Sequence, residues 1–158
     1  MSNAWILVTD AAKARLFETA SPANTLVEIA CFTNPEGRNT TRNSLGHRPP
    51  RTKESLRPER RAGEPRTTRR EKSALQFAKS LRKALINGRA HGQFERLFLV
   101  APPRFLGVLH ENLDAHLSAQ LAGELGNDLI ALRPNDLLDR LHVAFPHDFR
   151  MQTAHAAM

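Results

Sequence analysis

Twelve of the chain's basic residues fall between Glu36 and Lys72: Arg38, Arg42, Arg48, Arg51, Lys53, Arg57, Arg60, Arg61, Arg66, Arg69, Arg70 and Lys72. Five acids stand against them, Glu36, Glu54, Glu59, Glu64 and Glu71, and the rest of the 158 residues carries eleven charges of each sign. The net charge of +7 is therefore the charge of this one segment. A guanidinium meets phosphate through two parallel N–H bonds, and several such contacts together give tight, salt-sensitive affinity. The segment reads as an arm for a polyanion, with RNA or the ribosome as the partner. The candidate contacts are Arg57, Arg60, Arg61, Arg66, Arg69, Arg70 and Lys72, continued by Lys79 and Lys83 on the helix that follows. No aromatic residue lies between Phe32 and Phe77, so base stacking is not available within the arm itself. The same composition also fits a solubilising loop whose charge has no specific partner.

The other reactive residue types make weaker patterns. Asp10 follows the first apolar run, where a two-metal nuclease would place one acid, but such chemistry needs several carboxylates converging on the cations. Only Glu95 begins the next candidate strand, so Asp10 reads as a turn former. His110 and Asp114 are four residues apart and would share a helix face with Glu111 between them, a spacing able to hold a metal but commoner as plain surface. Cys31, the single cysteine, sits in an apolar run and reads as a buried, inert thiol. Gly37, Gly46 and Gly63 are too sparse for a phosphate-cradling loop. The reading is thus of no catalytic residue, no metal and no cofactor.

The elements that would position these groups follow from hydrophobic periodicity. Trp5–Thr9 and Ala14–Thr19 read as a hairpin, and Leu26–Phe32 as a third strand after the Ser21–Asn24 turn, which together make an antiparallel meander. Pro35, Pro49, Pro50, Pro58 and Pro65 break any regular element from Thr33 to Thr67. Thr68 and Glu71 match a capping box, so a helix is expected from there to an Asn87–Gly88 stop, burying Leu75, Ala78, Leu81 and Leu85. Lys72, Gln76, Lys79 and Lys83 share another face. Phe94–Ala101 reads as a strand, and Pro102–Pro103 opens a helix in which Leu106, Leu109, Leu113, Leu117 and Leu121 repeat at helical spacing. A short strand at 128–132 and a helix Asn135–Leu141, capped by Asn135, complete the pattern.

The fold class that results is α/β, a mixed sheet whose three-strand meander is followed by helix–strand–helix–strand–helix. A single domain over residues 1–143 is expected, with a long basic loop at 33–67 and a tail at 144–158, frayed or docked on a neighbour. Hydrophobic content of 41% supports a packed core, which wholesale disorder would lack. One cysteine allows no internal disulfide, there is no basic leader, and no stretch approaches the roughly 20 apolar residues of a spanning helix. A cytoplasmic location fits these features.

Taken in order, WILVTDAAKARLFE, the basic loop, EKSALQFAKSL and FERLFLVAPPRFLGVL resemble the bacterial family named for a protein required for attachment to host cells, from about Trp5 to Leu141. That family is similar in turn to the middle domain of archaeal and eukaryotic peptide-chain release factors, which implies a ribonuclease H-like layout. Release factors carry a Gly-Gly-Gln loop just before a helix like Ser73–Ala78. Here the residues before that helix are arginine-rich and no Gly-Gly-Gln is present, so the resemblance implies a binding protein rather than an ester hydrolase. His91-Gly92-Gln93 looks like the motif but lies after the helix. The resemblance leaves two other functions open, an interaction protein affecting attachment and a related hydrolase.

Overall fold

The computed structural model describes residues 3–20, 25–35 and 66–149. Its centre is β1 (Ala4–Thr9), buried at every position. Alternation is absent because the strand has neighbours on both edges and helices over both faces. β2 (Lys13–Ala20) and β3 (Thr25–Thr33) pair antiparallel in succession, while β4 (Arg96–Val100) and β5 (Leu121–Leu125) add in parallel on the other side of β1. The order β3-β2-β1-β4-β5 forms the mixed α/β sheet expected from the sequence. Asp10 closes the first hairpin: its Oδ1 accepts the backbone N–H groups of Ala12 and Lys13, each at 2.8 Å.

The crossover from β3 to β4 contains α1 (Arg66–Ala90). It begins two residues before the expected cap, so Thr68 and Glu71 lie inside the helix. Its buried stripe is Phe77, Ala78, Leu81 and Leu85. Phe77 takes the core seat, 6.1 Å from the ring of Phe105, and Leu75 is left 37% exposed on the flank. Nor does the helix stop at Asn87–Gly88. Gly88 is a packing glycine, since a Cβ there would lie 2.3 Å from the ring of Trp5. The stop is Gly92, with φ +64°. There the N–H of Gln93 donates to Gly88 O and that of Gly92 to Arg89 O, both at 2.9 Å, which is the Schellman pattern.

The leucine run after β4 is not one helix. α2 (Pro103–Glu111) ends at Asn112, and α3 (Ala115–Gln120) starts afresh because Asp114 Oδ1 accepts Leu117 N at 2.8 Å. Leu121 then enters β5, which replaces the strand expected at 128–132. That later stretch is a turn in which Leu132 N donates to Leu129 O and Leu129 is buried. α4 (Pro134–Ala144) has Arg133 at its N-cap and Pro134 in its first turn, so Asn135 does not cap it.

Two apolar layers sandwich the sheet. Trp5, Leu7, Leu16, Leu97 and Leu99 face α1 and α2, whereas Ile6, Val8, Phe17, Phe98 and Val100 face α4. Phe145 and Phe149, from the stretch read as a tail, pack on Phe98 at ring separations of 5.1 and 4.9 Å. The sheet's own face thus receives residues 145–149. Among the described residues no helix is long and apolar enough to cross a membrane.

Candidate functional site

The basic candidates divide by position. Arg57, Arg60 and Arg61 lie outside the described residues, and Arg66 opens α1. Arg69, Arg70, Lys72, Lys79 and Lys83 are all exposed on that helix. At 3.6 residues per turn, Lys72, Lys79 and Lys83 fall close to one line, on the side of α1 opposite its buried stripe. No acid occupies the first turn. A helix N-terminus carries partial positive charge and is stabilised by carboxylates, so arginines there add like charge to like.

Beside α1 lies a feature absent from the sequence reading. α1 packs on β1 and β4 and on Ala14 and Leu16 of β2, but among the described residues it leaves part of the same face of β2 and β3 open, and the gap is a cavity of about 590 Å³. Its apolar walls come from Trp5, Leu16, Ala30, Phe32 and Ala84, with Ile29 at the β3 edge. Ile29 reaches it through a bulge: Leu16 pairs with Ala30 and Phe17 with Glu28, so Ile29 is the extra residue. Polar groups gather at one end, namely Asn3, Glu18, Asn87 and Gln93. Glu18 is half-buried, and its one hydrogen bond among the described residues is a long one of 3.5 Å from Asn3 Nδ2. Trp5 is 5% exposed, stacks on Phe94 at 4.6 Å, and its indole Nε1 is buried without a partner among the described residues.

The remaining candidates have structural uses. Asp10 holds its turn, and Asp114 caps α3, so it is not paired with His110. His110 Nδ1 instead meets Glu124 Oε2. Among the described residues no three His, Cys, Asp or Glu side chains gather as a metal site would require. Cys31 is exposed, contrary to expectation, because β3 lies at the sheet's edge and the α4 side does not cover this residue. In Ser73–Ala78, Phe77 and Ala78 are core residues, and His91-Gly92-Gln93 is the end of a helix.

A mixed five-stranded sheet with helices on both faces, a basic helix and a side cleft defines an α/β protein. The chain belongs to the family described as "Protein required for attachment to host cells", whose model matches residues 5–141. No curated protein matches it. Among solved structures, the type II variant of the Ppx/GppA phosphatase from Aquifex aeolicus matches with a TM-score of 0.38 and 13% identity, over 79% of this chain and 35% of that one. The chain thus spans about a third of that protein, and no argument rests on so distant a likeness.

Proposed function

We propose that the protein binds RNA or a comparable polyanion along the solvent side of α1, in continuity with the arginine-rich segment, and performs no covalent chemistry. The observation that carries the reading is the alignment of exposed Lys72, Lys79 and Lys83 opposite the helix's buried stripe. Arg69 and Arg70 beside the positive end of the helix dipole support it, since a phosphate placed there relieves both. The family's description suggests a second reading, an effect on attachment to host cells. Recovery of the protein on the outer cell surface after fractionation would favour that reading over RNA.

Filter retention of a structured RNA by the full chain tests the proposal. Replacing Lys72, Lys79 and Lys83 together by Gln should flatten the plot of log affinity against log salt by about 2–3 units of slope. Equal retention and equal slope for both proteins would remove the reading.

A further inference from the structure

The cleft beside α1 and the lysine line on it are neighbours. Lys83 and Asn87 are four residues apart on one helix, so their side chains stand one turn from each other, and Asn87 belongs to the cleft's polar end. A cavity of about 590 Å³ lies within the range of small-ligand sites, roughly 300–1,000 Å³. Among the described residues no lysine or arginine lines it. It offers instead an apolar slot with Phe32 in one wall, three carboxamides that each donate and accept, and the acceptor-only carboxylate of Glu18. Those are the requirements of a heteroaromatic base: a flat apolar body with donors and acceptors along its edge. Proteins that read single-stranded RNA hold unstacked bases between apolar or aromatic side chains and hydrogen-bond their edges.

We infer that the cleft takes one unstacked base of the strand whose phosphates lie along Lys79 and Lys83, and that Glu18 selects guanine. The inference rests on the polyanion reading above and adds specificity to it. Guanine presents N1–H and the 2-amino group side by side, two donors for one carboxylate, whereas uracil presents a single N–H between two carbonyls. Glu18 Oε1 has no partner among the described residues, while Oε2 holds only the long contact to Asn3.

The single tryptophan lines the cleft, so its fluorescence reports occupancy without a label. The full chain is titrated with a guanosine-containing hexanucleotide, with a hexanucleotide of uridine alone, and with guanosine 5′-monophosphate, reading Trp5 emission and the anisotropy of the labelled oligonucleotides. The expected result is a change in Trp5 emission with the guanosine strand and affinity on the order of tenfold above the uridine strand. Glu18→Gln should abolish that preference, and Phe32→Leu the emission change, while salt-dependent binding of both strands persists. Binding of both strands with equal affinity and unmoved Trp5 emission overturns the base site and leaves the lysine reading standing. An emission change with guanosine 5′-monophosphate but no oligonucleotide binding upholds the cleft and overturns the lysine reading. No response to any of the three overturns both.

Discussion

On the α4 side of the sheet, β2 and β3 are covered around Phe17 and Leu26, which are buried, although Cys31 stays exposed, and Arg15 reaches across to the turn before α4, donating to Ile130 O at 2.8 Å and Leu132 O at 2.7 Å. On the α1 side Ala14 and Leu16 are buried, but among the described residues the strands stay open around Val27 and Ile29, which are exposed beside the cleft. The difference comes from what crosses the hairpin. On one side α4 and a turn tied down by a guanidinium lie over Phe17 and Leu26, and on the other α1 covers Ala14 and Leu16 but not the stretch around Val27 and Ile29. Around the β3 bulge, alternate residues of these strands thus serve stability on one side and remain available for a ligand on the other.

That contrast can be broken from either side. The largest effect is expected for Phe149→Ala, which empties a fully buried site against Phe98 and should cost about 3–5 kcal/mol in denaturant unfolding. A change within error would mean that residues 145–149 do not seal that face. Gly88→Ala, whose Cβ would meet the rigid buried indole, should cost about 1–3 kcal/mol and shift Trp5 emission. An unchanged midpoint and spectrum would show that Trp5 is not seated on the helix. Arg15→Ala leaves two carbonyls without their charged donor and removes the ion pair to Glu28, at 3.0 Å, for a loss of about 2 kcal/mol. The smallest effect is predicted for Glu18→Gln on the open side, within about 0.5 kcal/mol of the parent stability. A loss there as large as that of Arg15→Ala would make the two sides equivalent and the cleft a part of the core.

Much of this architecture was legible in short-range signals. Asp10 between two apolar runs marked the first hairpin, and the spacing of Ala78, Leu81 and Leu85 marked α1. Where leucines at helical spacing continued through a break, the pattern misled: Leu113, Leu117 and Leu121 keep the repeat, yet Asp114 starts a new helix and Leu121 a strand. Cap chemistry decided the element, and periodicity did not register it. Gly88 looked like a stop because its partner, Trp5, is distant in sequence. The lysine line was readable because one helix carries all of it. The cleft was not, since its residues come from β1 and the residue before it, β2, β3, α1 and the turn after α1, and only the sheet order brings them together. Glu18 was the available hint, an acid on the face of the strand that otherwise points Ala14 and Leu16 into the core.

The contact between Gly88 and Trp5 also acts as an index mark for the helix. Only a residue without a side chain can lie under that ring, so α1 has one rotational setting on the sheet. A slip of one residue would place Asn87 or Arg89 against the indole and swing the lysines about 100° around the axis. A notch in the core thereby fixes the compass bearing of charges that lie on the far side of the helix.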